Sequence, residues 1–275
     1  MNGIAIIIPN ADFSNSPLGK VTNVKTVSER AEEIVTLYSN AIGISSYNNE
    51  LIEMVTSLIN IGAWEGLDIY PILGSNFNTQ LVNLNPSGFF NTSLVVAPSA
   101  VASDNVITFT KIPGQNPSDA TVPEGRISKN IKVLNESGFF NAMDIIRKTD
   151  VGGNSYIKYS TGYEINSSSD MNKIKVNVYN SRGTASSSVY SNERHFWGIS
   201  HDTNKISIYI DGEKDVEQSL TSLPNANEMF TVTNDIGLTF NGDVRFYCQG
   251  YIDQSTHATV IEIFKRFLDK VKPNI

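Results

Sequence analysis

Asp211, Glu213 and Asp215 are the carboxylates whose spacing comes nearest to catalytic use. Alternate residues of a strand share a face, so such a row could set two carboxyl groups across a sugar, about 5–5.5 Å apart for a retaining glycosidase. The row follows Asp211-Gly212, however, a strong hairpin signal because Gly accepts the positive φ that the turn requires. A solvated turn is the stronger reading. His195, His201 and His257 are the only histidines, none at the i, i+4 spacing of a helical metal pair. His201 beside Asp202 reads as a turn and His195 as a strand-edge residue. The single Cys248 excludes an intrachain disulfide and a multi-cysteine metal site. No Gly-x-Ser-x-Gly elbow, Walker loop or dinucleotide fingerprint is present, and no EF-hand spacing organises the Asp- and Asn-rich loops. Gly152-Gly153-Asn154 leads into no helix and is a weak phosphate loop. No catalytic set, metal or cofactor is expected, and the chain reads as non-enzymatic.

Carbohydrate recognition would instead use aromatic rings lying flat against sugar faces. Trp197, Tyr209 and Trp64 are the candidate glycan contacts, with Tyr251 a further one by type. Phe196 and Trp197 are neighbours on one strand, so a regular strand turns one of them outward. Trp64 follows a helix, where a tryptophan more often plugs a core, and core packing is the stronger reading for both tryptophans.

The elements that must position these residues follow from periodicity. Thr26 and Glu29 have capping-box spacing, Ala31, Ile34, Val35, Tyr38 and Ile42 make one apolar face, and Gly43 suits a C-terminal cap, so a helix is expected from about Thr26 to Ile42. A second is expected from about Tyr47 to Asn60, closed by Gly62, and a last from about Ser255, stopped by Pro273. Between them, Ile206, Ile208 and Ile210 alternate with polar residues in the pattern of a half-buried strand. Further strands are expected near Leu67–Leu73, 92–97, 105–111, 129–134, 155–161, 173–179, 186–190, 193–200, 236–240 and 244–252, with Asn241-Gly242 as another hairpin turn. LNPSGFFN at 84–91 returns as LNESGFFN at 134–141, a turn feeding a strand in each place. Many short strands with regular turn signals predict a mainly β fold, an antiparallel sandwich or jelly roll. Its parts are an N-terminal strand and arm at 1–25, a helical preface at 26–62 packed on the sandwich and a jelly roll at 63–275 ending in a helix, expected to form one structural unit.

Lys and Arg number 21 against 28 Asp and Glu, a net charge of −7 that repels a phosphate backbone, so no nucleic acid partner is expected. The apolar run Ile4–Ile8 is too short for a signal core or a membrane span and lacks a basic flank. The expectation is synthesis in the cytoplasm, without a signal peptide or a membrane partner.

Three stretches carry a family resemblance. They are Gly62-Ala63-Trp64 with Leu67-Asp68-Ile69-Tyr70-Pro71, Gly74 and Asn83-Leu84-Asn85-Pro86; the HFWGIS strand with its ISIYIDGE hairpin; and a terminal helix with phenylalanines on its buried face. Together they resemble the concanavalin A-like (laminin-G-like) jelly rolls of tailed-bacteriophage virion proteins, and NADFSNSPLGKVT is similar to the short N-terminal arm of such proteins. The resemblance spans Asn10 to Val271, and the loop-rich 89–131 region departs from it in length. Laminarinase-type members of this fold carry Glu-x-Asp-x-Glu on one strand, and this chain has no such triplet. The resemblance implies a structural virion component, a head fibre, capsid decoration or tail appendage, that binds host surface glycans or mucus. It also implies a homo-oligomer, taken as a trimer, joined to other virion proteins through Ile6, Ile8, Phe13 and Leu18 of the arm. A carbohydrate-binding module outside a virion is the second reading, and a glycoside hydrolase of the same fold the third.

Overall fold

A computed structural model of the chain describes residues 25–88, 100–109, 125–133, 138–147, 155–159, 163–167, 173–178, 183–190, 193–202, 204–220, 230–236 and 242–272. The arm residues Ile6, Ile8, Phe13 and Leu18 and the strand expected at 92–97 lie outside them.

Helix α1 (Val27–Ile42) begins with the expected capping box. Glu29 N–H donates to the Thr26 hydroxyl, the Glu29 carboxylate accepts from Thr26 N–H at 2.7 Å, and Gly43 ends the helix at φ 68°. Helix α2 (Asn48–Asn60) packs on α1, and α4 (His257–Val271) packs on α2. Between them come β1 (Leu67–Tyr70) and the short α3 (Phe77–Gln80). No helix among the described residues is long and apolar enough to cross a membrane.

The remaining strands are β2 (Val101–Ser103), β3 (Val106–Phe109), β4 (Gly125–Val133), β5 (Phe139–Arg147), β6 (Ser155–Tyr159), β7 (Tyr163–Ser167) and β8 (Lys173–Val178). They continue through β9 (Gly183–Tyr190), β10 (His195–His201), β11 (Lys205–Ile210), β12 (Glu213–Ser219), β13 (Phe230–Ile236) and β14 (Gly242–Tyr251). They form two antiparallel sheets. The larger has eight strands in the order β12-β11-β10-β5-β14-β3-β2, with β1 also on β14, and the smaller has six in the order β4-β13-β6-β7-β8-β9. The protein is a mainly β antiparallel sandwich.

Two cores result, one on each face of the larger sheet. Trp197, Ile199, Ile206, Ile208, Met143 and Tyr247 meet Val176 and Ala185 of the smaller sheet. On the opposite face Phe140, Phe196, Phe246 and Cys248 meet the helices through Val55, Leu58, Ile261, Phe264 and Phe267. Alternation along β10 delivers both sets: Phe196 faces the helices, Trp197 the sandwich interior, and Gly198 lies against Ile261. The Phe246 and Phe264 rings stand 4.9 Å apart, centroid to centroid.

The Asp211-Gly212 reversal is as expected. Ile210 pairs with Glu213 across it, and both turn residues have positive φ, 52° and 99°. Asn241 and most of the strand expected at 236–240 lie outside the described residues; β13 belongs to the smaller sheet and β14 to the larger, so these two strands do not form a hairpin. Of the near-repeat, Phe139, Phe140 and Asn141 open β5, while Leu84 and Asn85 are buried in a loop and Phe89 lies outside the described residues.

Candidate functional site

The two tryptophans are not glycan platforms. Trp197 is 0 % exposed and Trp64 3 % exposed. The outward turn expected for one of Phe196 and Trp197 does not occur, because helices cover the face to which Phe196 points. Trp64 packs in that helical core, and its carbonyl accepts from Asn85 Nδ2 at 2.7 Å. Tyr209 is half-buried on β11 against the same cluster.

The carboxylate row is taken up by local structure. The Asp211 carboxylate accepts from Phe196 N–H at 3.0 Å and lies 2.6 Å from His195 Nδ1, fixing the turn to β10. Asp215 accepts from Ser188 N–H at 2.7 Å and from its hydroxyl, joining β12 to the edge strand β9 of the other sheet. Glu213 is exposed. The three do not converge. Among the described residues no group of three or more His, Cys, Asp or Glu gathers where it could hold a metal ion.

His257 and Ser200 form a pair that the sequence spacing gave no sign of. The Ser200 hydroxyl meets His257 Nδ1, and Nε2 lies 3.3 Å from the Ile252 carbonyl, an acceptor only, which assigns the proton to Nε2. Both residues are buried, so the pair is an anchor between α4 and β10. Burial is the main cause holding the His257 pKa below its ordinary 6.5, against opposing contributions from backbone hydrogen bonds and from Asp202 and Asp253. The unfolded chain therefore takes up this proton first as pH falls, and stability declines as pH drops through about 6.5. Urea unfolding between pH 7.5 and 5.5 should show this decline, with a flatter slope in His257→Gln. An equal slope in the variant would assign the acid sensitivity to other groups.

Among the described residues an opening of ligand size lies at the α1–α2 corner. It is a cleft of about 330 Å³, toward the lower end of small-molecule sites, lined by Thr36, Ser39 and Ser45 hydroxyls, Asn40 and Asn48 amides, Gly43 and Ile44. Local chemistry shapes it. The left-handed Gly43 ends α1, Ile44 N–H donates back to the Ser39 carbonyl at 3.2 Å, and Asn48 N–H donates to the Ser45 carbonyl at 3.2 Å. The Ser39 hydroxyl donates to Asn48 Oδ1 at 2.5 Å across the corner. No charged side chain lines the cleft. The surrounding stretch 25–60 carries Glu29, Glu32, Glu33, Glu50 and Glu53 against Lys25 and Arg30. Tyr47, half-buried, stands next to Asn48, and its hydroxyl accepts from Asn105 Nδ2 at 3.1 Å. Sequence reasoning missed this cleft, because Ser, Thr and Asn at a helix end are what any solvated turn contains.

No family model matches the chain, and no curated protein matches it. Solved structures do. The binding domain of botulinum neurotoxin serotype D aligns with a TM-score of 0.50 and 12 % identity, over 75 % of this chain and 52 % of that one. Trypanosoma rangeli sialidase aligns with a TM-score of 0.48 and 12 % identity, over 75 % of this chain and 33 % of that one. The binding domain of Paraclostridial Mosquitocidal Protein 1 gives 0.47 and 14 %, over 73 % and 53 %. The chain thus spans about a third of the sialidase and about half of the toxin domains. At such identities the likeness shows the fold, a β-sandwich. The expectation of a non-enzymatic chain is not upheld by this comparison, since sialidases stand among the aligned structures, but a likeness at these scores assigns this chain no activity of its own.

Proposed function

We propose that this chain is a glycan-binding β-sandwich domain that takes uncharged sugar hydroxyls into the α1–α2 cleft. The observation that carries the reading is the lining: hydroxyls and primary amides, which both donate and accept, with no charged side chain among them. Such groups match the paired donor and acceptor of a sugar hydroxyl, and the carboxylates on α1 and α2 disfavour acidic sugars. The botulinum neurotoxin neighbour is, by its description, a binding domain. The resemblance carried by HFWGIS and by NADFSNSPLGKVT adds the setting: display on a phage particle, as a self-associated trimer held to other virion proteins through the arm.

A panel of immobilised neutral and sialylated glycans tests the reading. The expected result is millimolar-to-micromolar binding to a neutral glycan, and at least a tenfold loss in Asn40→Ala at an unchanged melting temperature, since Asn40 is exposed. Binding restricted to sialylated glycans, no binding to any, or full affinity in Asn40→Ala would each overturn it.

A further inference from the structure

Lys272 follows the last turn of α4 with its side chain wholly buried. Its ammonium donates to the carbonyls of Pro71 at 2.8 Å, Asn105 at 3.1 Å and Ile72 at 3.2 Å, and it also reaches the Arg245 carbonyl. These oxygens come from three stretches far apart in sequence: the loop after β1, the β2–β3 turn, and the bulge of β14 between Val244 and Phe246. Two belong to residues that hold positive φ without being glycine, Ile72 at 54° and Asn105 at 58°. A β-branched residue such as Ile72 resists that conformation, which persists only where its surroundings impose it. Burial pushes the Lys272 pKa well below its ordinary value, Asp144 alone favours the cation and Arg245 and Arg194 oppose it, so the neighbouring charges do not explain the burial by themselves. Converging neutral carbonyl dipoles are the means by which a dehydrated monovalent cation is held.

Asn105 carries this constraint outward. Its side-chain oxygen accepts from Gly74 N–H at 2.8 Å, its own N–H donates to the Gly74 carbonyl at 2.7 Å, and its amide nitrogen donates to the Tyr47 hydroxyl at 3.1 Å. A Cβ at Gly74 would meet Ile44 at 2.8 Å, so this loop lies directly against the cleft lining.

We propose that the four carbonyls form a monovalent-cation site that the chain fills with its own ammonium, Lys272, and that this internal cation holds Asn105, and through it Tyr47, beside the α1–α2 cleft. Lys272 is a positioning residue, and the inference stands whatever the cleft binds.

Lys272→Ala vacates the ammonium and leaves the carbonyls. Methylammonium chloride is expected to raise the melting temperature of that variant by several degrees over tetramethylammonium chloride at equal ionic strength, and to leave the native chain unmoved. Lys272→Met, which fills the space without charge, is expected to melt lower than the native chain and to gain nothing from methylammonium. Amide exchange at Gly74 is expected to be at least tenfold faster in Lys272→Met. A Lys272→Met variant as stable as the native chain, or a Lys272→Ala variant blind to methylammonium, overturns the inference. If neither variant folds, the native side chain decides: nitrogen-15 NMR at pH 7 is expected to show a protected Lys272 ammonium, and a neutral amine overturns it.

Discussion

Trp197→Ala is expected to destabilise the fold by about 3–5 kcal/mol, the range for truncating a large buried aromatic side chain. The indole is 0 % exposed and sits mid-strand, opposite Met143 on β5 and Ile210 on β11. It belongs to one buried cluster with Ile199, Ile206, Ile208, Val176 and Ala185, so it lies in the core shared by the two sheets. The His195 ring stands edge-on to it, 5.7 Å away between centroids. Domains are stable by only about 5–15 kcal/mol, so the loss is a large share of the whole. Trp197→Phe is expected to cost less. The indole N–H has no hydrogen-bond partner among the described residues, so removing it strands no acceptor, and most of the ring volume is kept. Urea unfolding followed by circular dichroism checks both variants. A Trp197→Ala protein that melts with the native midpoint would mean the ring is not in the core. Loss of glycan binding in that variant would report unfolding and would say nothing about sugar contact.

What could be read from the chain alone divides by whether the cause is local. The capping box of Thr26 and Glu29, the left-handed Gly43 and the Asp211-Gly212 turn are decided within four residues, and each is present. The amphipathic stripes of α1, α2 and α4 showed that these helices bury a face, and the preface was expected to pack on the sandwich, but the stripes did not show which strands receive it. Because they lie on the larger sheet, its central strands have no wet face, and β10 and β5 lose the inside-outside alternation that would mark a half-exposed strand. Strand β5 itself, at the centre of the larger sheet, was not among the strands expected from periodicity, and it carries Asp144, a carboxylate 1 % exposed and bonded to Arg194 at 3.2 Å. Asn241-Gly242 carries the same local signal as a true hairpin, yet the strands on either side of it lie in different sheets. The cleft and the Lys272 cage were illegible for a related reason. A lysine ending a helix is ordinarily a solvated partner of the helix dipole, and nothing near it in sequence shows that Pro71, Ile72 and Asn105 will supply its carbonyls.

Gly250→Ala should be costlier than the addition of one methyl suggests. Gly250 lies near the end of β14, paired with Phe140 of β5 on one side and Leu67 of β1 on the other. A Cβ there would stand 2.1 Å from the Gly66 carbonyl oxygen and 2.9 Å from Leu67 Cα, backbone atoms that cannot rotate away. Gly66 is equally confined, since its own Cβ would meet the Tyr251 carbonyl oxygen at 1.9 Å. The turn Trp64–Gly66 therefore lies directly on β14 because neither strand carries a side chain at the crossing. To admit the methyl, that turn must lift, drawing Trp64 out of the helical core and stretching the bonds that Asn85 Nδ2 donates to the carbonyls of Trp64 and Leu67. The expected loss is about 3 kcal/mol, the upper end for overpacking a close contact. Gly62→Ala is the control. Gly62 has φ 74° and nothing within 4 Å of its Cβ position, so it bears only the left-handed backbone penalty of about 1–2 kcal/mol. Urea midpoints for the two variants separate steric exclusion from backbone strain. If Gly250→Ala falls no further than Gly62→Ala, the turn and β14 do not touch as closely as these distances state.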